Sequence, residues 1–218
     1  MLVGLPLLSK QMKITSIIIL LALSHFACSS NEQAEIGLDS IPVAPFEKTL
    51  IVYLSRTSNT KAVAEMIKAQ TGGKLVALEL TTPYPADYRT TVEQVAQENA
   101  SGFLPPLETR IDSIEKYDLI FLGFPTWGMQ LPPPIKSFLD QYDLAGKTIA
   151  PFNTNAGYGI GTTFDQVKTL APKSIVLEGF STQGGMERDW VLFVMKGEKE
   201  TAVSDQVKRW LNTMNTPW

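Results

Sequence analysis

The sequence predicts an α/β domain in which a five-stranded parallel sheet lies between two layers of helices, a three-layer sandwich. Short apolar runs rich in β-branched residues alternate along the chain with segments whose apolar residues recur at helical spacing. The runs are continuously apolar, as expected of strands that are covered on both faces. With 218 residues, of which 44% are hydrophobic, the chain is long enough to bury one core of this kind.

Five strands are predicted, each bounded by polar, glycine or proline residues. They cover residues 49–54, 75–80, 118–123, 148–152 and 174–179. The first strand ends abruptly in hydroxyl-bearing residues and an asparagine, and a helix follows at once. Since parallel strands need crossover helices on the faces of the sheet, this alternation supports the three-layer arrangement.

Helices are predicted between the strands and after the last one. The first passes through Ala62 and Ile67 and ends at Gly72. The others cover residues 87–99, 134–141, 162–170 and 201–214. Phe138 and Trp210 lie on apolar stripes of two of these helices, so we expect both to belong to the core.

The N-terminal segment is expected to be a secretory signal. Lys10 and Lys13 precede an apolar stretch over 14–23, which is about half the length that a membrane-spanning helix needs. Cys28 follows a small residue after this stretch, as in a bacterial lipoprotein signal, and would then be lipidated. An ordinary signal peptide or an anchor with an incidental cysteine is the alternative, and Met12 is a second candidate for the true start.

The expected organisation is a signal peptide over residues 1–27, a tether over 28–47 and one domain over 48–218. The tether shows little periodicity and contains two prolines. We therefore expect an exported protein on the periplasmic side of a bacterial envelope, held to the membrane by its lipid alone.

Composition excludes several kinds of chemistry. A net charge of −3 provides no field that would attract nucleic acid. His25 and Cys28 are the only histidine and cysteine, and both precede the domain. Because triads, thiol nucleophiles and thiolate or imidazole metal sites need these residues, we predict neither catalytic side chains nor a metal site. The chemistry would then come from a bound cofactor.

The polar segment after the first strand is a candidate phosphate-binding loop. It has the sequence Ser55-Arg56-Thr57-Ser58-Asn59-Thr60, in which five residues can bind an anion without adding negative charge. Free backbone N–H groups and the helix dipole favour an anion at such a strand-to-helix junction. Simple capping by Ser58 or Asn59 is the alternative.

One nucleotide-binding motif is absent from the chain and a second is matched poorly. The chain has no Gly-x-x-x-x-Gly-Lys-Ser/Thr segment. The glycines at 157, 159 and 161 have the wrong spacing for a dinucleotide fingerprint and follow the fourth strand instead of the first.

Three loops together resemble the flavodoxin family. They are the segments 55–60, 123–128 and 153–159, which follow the first, third and fourth strands, and the resemblance covers about residues 48–213. The segment 84–88 is similar to a bacterial branch of that family. The resemblance implies a flavodoxin-like sandwich with strand order 2-1-3-4-5 and flavin mononucleotide (FMN) as cofactor.

The resemblance also implies the residues that would hold FMN. The phosphate would be gripped by Ser55, Thr57, Ser58, Asn59 and Thr60, where many family members have glycine at the position of Ser58. The second loop supplies Pro125, Thr126, Trp127 and Gly128, with Trp127 stacking on the flavin ring and Gly128 able to turn its carbonyl toward flavin N5. The third loop supplies Asn153, Thr154, Asn155, Gly157 and Tyr158, with backbone amides at the polar ring edge and Tyr158 over the other face. As alternatives, Trp127 would be a core or interface residue and Tyr158 would not contact the ring.

An electron carrier or reductase is the expected function, with a redox protein or a small-molecule electron acceptor as partner. An NAD(P)H-dependent quinone reductase on the same fold is the first alternative. A surface module that binds a protein or polymer without the cofactor is the second, since a fold does not determine a function.

Overall fold

The computed structural model describes residues 48–214. The predicted signal peptide, the tether and the lipidation site at Cys28 lie outside these residues. Within them, no helix is both long enough and apolar enough to cross a membrane.

Strands and helices alternate as predicted. The strands are β1 (Thr49–Tyr53), β2 (Lys74–Ala77), β3 (Leu119–Pro125), β4 (Thr148–Asn155), β5 (Ile175–Val176) and β6 (Phe180–Gln183). The helices are α1 (Asn59–Thr71), α2 (Tyr88–Ser101), α3 (Pro133–Gln141), α4 (Thr163–Leu170) and α5 (Glu198–Met214). The sheet has the order β2-β1-β3-β4-β5 and every pairing is parallel, which confirms the predicted fold class and strand order.

Two hydrophobic cores lie on opposite faces of this sheet. Leu50 and Val52 of β1 belong to the core that α3 and α4 cover, whereas Ile51 and Tyr53 belong to the core under α1 and α5. This division follows from the two-residue period of a strand. Phe138 is fully buried in the first core and Trp210 is 9% exposed in the second, so both predicted core aromatics are confirmed.

The predicted fifth strand, 174–179, is wrong in its extent. β5 pairs with the start of β4 and β6 pairs with the end of it, so one interrupted strand runs along the edge of the sheet. The break faces Pro151 of β4, which has no N–H group to donate. The carbonyl of Glu178 at the break accepts a hydrogen bond from Trp210 Nε1 at 3.0 Å, so this backbone group is satisfied.

Candidate functional site

The loops after β1, β3 and β4 meet at the carboxyl edge of the sheet, where two cavities adjoin. One is narrow, with a volume of about 110 Å³, and the other is wide, with a volume of about 450 Å³. Both cavities are lined by Arg56, Tyr88, Thr126, Trp127 and Glu187. The shared lining makes them one continuous concave surface.

The loop after β1 presents free backbone donors to the narrow cavity. The backbone N–H groups of residues 57–60 donate no hydrogen bond within the part of the chain that the structure describes. Ser58 adopts a left-handed conformation (φ 63°), makes no side-chain cap, and no acidic residue follows in the first turn of α1. Four free N–H groups at the N-terminus of a 13-residue helix are an arrangement that favours an anion.

Side chains of this loop and of the start of α1 make hydrogen bonds to distant parts of the chain. Asn59 donates from Nδ2 to the Leu192 carbonyl at 2.6 Å and to Thr57 Oγ1 at 2.9 Å, and its Oδ1 accepts from the Val194 N–H at 3.0 Å. The hydroxyls of Thr60 and Thr154 lie 2.8 Å apart and are buried. These contacts fix the loop after β1 against the segment after β6 and against β4.

The side chain of Arg56, in the same loop, is bound by other groups of this chain. Its Nε–H donates to both carboxylate oxygens of Glu187, at 2.8 and 3.0 Å, while its terminal nitrogens donate to the carbonyls of Pro85 and Ala86. All three guanidinium nitrogens therefore donate to protein acceptors, and the charge is matched by one carboxylate.

Trp127 is presented by a tight turn. Trp127 and Gln130 exchange two backbone hydrogen bonds, and the residues between them, Gly128 and Met129, have φ values of 58° and 61°. Two positive φ angles are typical of a type I′ turn and are costly for a non-glycine residue such as Met129. The indole also contacts Tyr84 edge-on, with ring centroids 5.4 Å apart. The turn and this contact together fix the ring that borders both cavities.

Tyr84 is held in place by a hydrogen bond to a buried carboxylate. The Tyr84 hydroxyl donates to Glu98 Oε2 at 2.5 Å, and Gln94 Nε2 donates to Glu98 Oε1 at 2.8 Å. Glu98 is 6% exposed. Burial and this carboxylate raise the pKa of Tyr84 well above its ordinary value. The phenol therefore stays protonated and links α2 to the Trp127 turn.

The predicted third loop comprises the buried end of β4 and an exposed segment that follows it. Asn153 is fully buried and donates to the Phe124 carbonyl and to Thr126 Oγ1. Asn155 Oδ1 accepts hydrogen bonds from the N–H groups of Gly157 and Gly159, at 2.9 and 3.2 Å. Asn153 and Asn155 therefore shape the loop from within.

Tyr158 lies on the surface beside an arginine. It is 61% exposed, its hydroxyl accepts from Arg188 at 3.0 Å, and the guanidinium carbon lies 6.0 Å from its ring centroid. Tyr158 lines neither cavity.

The structure brings most of the predicted site residues to the two cavities. Those that line a cavity are Thr57, Asn59, Thr60, Pro125, Thr126, Trp127, Gly128, Thr154 and Asn155. Those that line neither are Ser55, Ser58, Asn153, Gly157 and Tyr158. No bound molecule tests these assignments, so they stay predictions.

Residues of the segment after β6 also line the cavities, although none of them was predicted to be a site residue. Gly184 and Gly185 line the narrow cavity, and Glu187 lines both cavities. A Cβ atom on Gly185 would come within 2.2 Å of the Leu192 carbonyl oxygen, so only glycine fits there. The Gly-Gly pair at the end of a strand was the available signal in the sequence.

Most of the described part of the chain matches a known protein family. Residues 48–195 match the model of a family described as flavodoxin. No functionally curated protein matches the chain.

Three solved structures are similar over most of the described domain. A candidate flavoprotein from Bacteroides uniformis ATCC 8492 is 27% identical with a TM-score of 0.62, covering 76% of this chain and 97% of that chain. A candidate flavoprotein from Bacteroides eggerthii DSM 20697 is 25% identical with a TM-score of 0.63, covering 78% and 99%. A flavoprotein from Lactobacillus acidophilus NCFM, solved in complex with FMN, is 28% identical with a TM-score of 0.56, covering 66% and 97%.

Proposed function

Because this chain belongs to the flavodoxin family, we propose that it binds FMN at the narrow cavity and transfers electrons through it. The observation that carries the proposal is the row of four free backbone N–H groups over residues 57–60. The FMN complex of the similar Lactobacillus acidophilus flavoprotein supports the choice of ligand.

The residues at this edge of the sheet fit FMN. The free N–H groups and the Thr57 hydroxyl suit a phosphate dianion, and the positive end of the α1 dipole adds to its stabilisation. Trp127 offers an aromatic surface for the ring. The N–H groups of Ala156 and Tyr158, which donate no hydrogen bond among residues 48–214, suit its carbonyl oxygens. When bound, FMN supplies the capacity to accept and release one or two electrons.

Comparing FMN with riboflavin tests the phosphate assignment. Riboflavin lacks the phosphate, so the full chain, purified in detergent and freed of cofactor, should bind FMN at least about 100-fold more tightly. Thr57→Val should reduce this preference, whereas Thr169→Val, at an exposed position of α4, should leave it unchanged. Equal affinities for both flavins would refute a phosphate site at residues 57–60.

A quinone reductase that uses NAD(P)H is the second candidate, and the wide cavity beside Trp127 favours it. A pure electron carrier needs only an exposed ring edge, whereas a reductase needs room for a small substrate next to the flavin. Steady-state oxidation of NADH or NADPH by menadione separates the two functions. Turnover by the FMN-loaded chain supports the reductase, and its absence together with reduction of cytochrome c by the reduced chain supports the carrier.

We further propose that the protein is exported and held to the outer side of a bacterial membrane by a lipid on Cys28. The basic residues, the short apolar stretch and the cysteine that follows it support this proposal. Radiolabelled palmitate should be incorporated into the full chain and not into Cys28→Ser. A label that persists in Cys28→Ser, or a wild-type chain that takes up none, would refute the lipid anchor.

A further inference from the structure

The wide cavity has features that FMN binding at the three loops does not use. We propose that it binds an uncharged, planar molecule with two carbonyl oxygens, of which a quinone is the redox-active representative. The cavity lining carries the binding claim, whereas the choice of a redox-active carbonyl compound rests on the proposed function.

The wide cavity adjoins the surface where all three predicted loops meet, but only two of those loops line it, through Arg56, Thr126, Trp127 and Gly128. Thr154 and Asn155 at the end of β4, and Ala156 directly after it, line only the narrow cavity. The corresponding wall of the wide cavity is formed by α2. A group held by all three loops therefore contacts the narrow cavity, and the side of the wide cavity that α2 forms stays available to a second molecule. Trp127 borders both cavities, so the two ligands would be neighbours.

The walls of the wide cavity suit a flat apolar molecule. Val92, Val95 and Ala96 lie on one side of α2 and line it, together with the indole of Trp127. Its volume of about 450 Å³ lies within the range of roughly 300–1,000 Å³ that small-molecule sites occupy. An aromatic ring bordered by an indole gains both apolar burial and stacking.

The lining offers no unmatched charge. Arg56 and Glu187 are the only charged residues among those that line the cavity, and they are paired at 2.8 Å. The other guanidinium nitrogens of Arg56 already donate to backbone carbonyls. An ionic ligand would lose its hydration without gaining a counter-ion from any residue of the lining, so the lining favours an uncharged one.

Two amide groups supply hydrogen-bond donors. Lys136 Nζ donates to Asn99 Oδ1 at 2.7 Å and to Gln130 Oε1 at 3.1 Å. Because an ammonium group can only donate, it fixes both amide oxygens toward itself. The NH₂ groups of Asn99 and Gln130, which line the cavity, donate no hydrogen bond among residues 48–214. They are thus left to bind carbonyl oxygens of a ligand.

Calorimetric titration of the FMN-loaded full chain with menadione tests the proposal, with 2-methylnaphthalene as a probe of the same shape that lacks carbonyls. Menadione should bind saturably and about 10-fold more tightly than 2-methylnaphthalene, because only menadione accepts hydrogen bonds from the two amides. Asn99→Leu and Gln130→Leu should each reduce this preference, while Gln97→Leu, at an exposed position of α2 outside the cavity, should not.

Ala96→Trp places a large side chain in the cavity from an exposed position of α2. It should weaken menadione binding at least about 10-fold and leave the affinity for FMN unchanged. Val92→Trp, also at an exposed position, should act alike and serves if the first variant does not fold.

Three results would overturn the inference. They are an absence of menadione binding to the wild-type chain, unchanged menadione affinity in both tryptophan variants, and loss of FMN binding in them. The last result would show that the flavin itself occupies the wide cavity. A wild-type chain that binds no FMN would instead refute the proposed function, and menadione titration of that FMN-free chain would still decide whether the cavity binds the quinone.

Discussion

The Nε–H of Arg56 donates to both carboxylate oxygens of Glu187, at 2.8 and 3.0 Å, and joins the loop after β1 to the segment after β6. The two side chains are 19% and 21% exposed, so the pair is largely shielded from solvent. Asn59 makes a second connection between the same segments through Leu192 and Val194. The shape of the predicted phosphate site thus depends on a segment about 130 residues away in the sequence.

Breaking this ion pair should destabilise the domain. Arg56→Met leaves the Glu187 carboxylate and two backbone carbonyls without their donor, and should lower the free energy of unfolding by about 1–3 kcal/mol. Glu187→Gln keeps one acceptor and should cost less. Urea denaturation of the FMN-free chain measures both. The double variant should show a coupling energy of about 1 kcal/mol, and strictly additive effects would contradict the pairing.

The buried hydroxyl pair between α1 and β4 gives a second prediction. Thr60→Val and Thr154→Val each leave one hydroxyl without its partner and should cost about 1–3 kcal/mol, whereas the double variant should cost less than their sum. Thr163→Val is the matched control, because the buried Thr163 hydroxyl has no hydrogen-bond partner among the described residues. Its replacement should leave the urea midpoint unchanged or raise it, and a large loss there would contradict this reasoning.

The left-handed conformation of Ser58 predicts a stabilising substitution. A side chain at φ 63° costs about 1 kcal/mol relative to glycine, so Ser58→Gly should raise the free energy of unfolding by up to about that amount. Ser113→Gly removes the same strain at φ 60°, away from the site. Both should shift the thermal midpoint upward, and only Ser58→Gly should alter the affinity for FMN. Destabilisation by both would show that neither residue is strained.

The pKa of Tyr84 predicts how stability changes in alkali. Because the pKa is raised in the folded state, the unfolded chain ionises first, above the ordinary value of 10.0. The contribution of protonated Tyr84 to the free energy of unfolding is fully present below that pH. It is lost as the pH rises toward the folded-state pKa. The urea midpoint of the wild-type chain should therefore fall more steeply between pH 7 and about pH 11 than that of Tyr84→Phe. Parallel curves would contradict a raised pKa.

The sequence was sufficient to predict β1 to β4 because each contains a continuous apolar run and the helices between them have a clear period, whereas β6 is largely polar and was not predicted. The order of the strands came from the resemblance, since periodicity alone does not say which strands are neighbours. The interruption between β5 and β6 lies opposite Pro151 of the adjacent strand, a relationship that residues 174–183 alone do not reveal.

The site was predictable only where its residues come at or shortly after the carboxyl end of a predicted strand. Trp127 and Thr57 do so, and both line the cavities. Glu187 and Tyr88 reach the site through tertiary contacts, which a local pattern cannot reveal. Asn153 also follows the predicted fourth strand. In the structure β4 extends to Asn155, so Asn153 belongs to the strand and its side chain is fully buried. The sequence alone could not distinguish an asparagine whose side chain is buried in the fold from one whose side chain faces a ligand.

The central claim, that the backbone of residues 57–60 holds the phosphate of FMN, is tested most directly by amide NMR of the ¹⁵N-labelled chain during titration with FMN. At one equivalent of FMN, the four amide resonances of residues 57–60 should shift with saturation, while an equal concentration of riboflavin should leave them nearly unmoved. Four amide resonances that stay in place at saturating FMN would contradict the account.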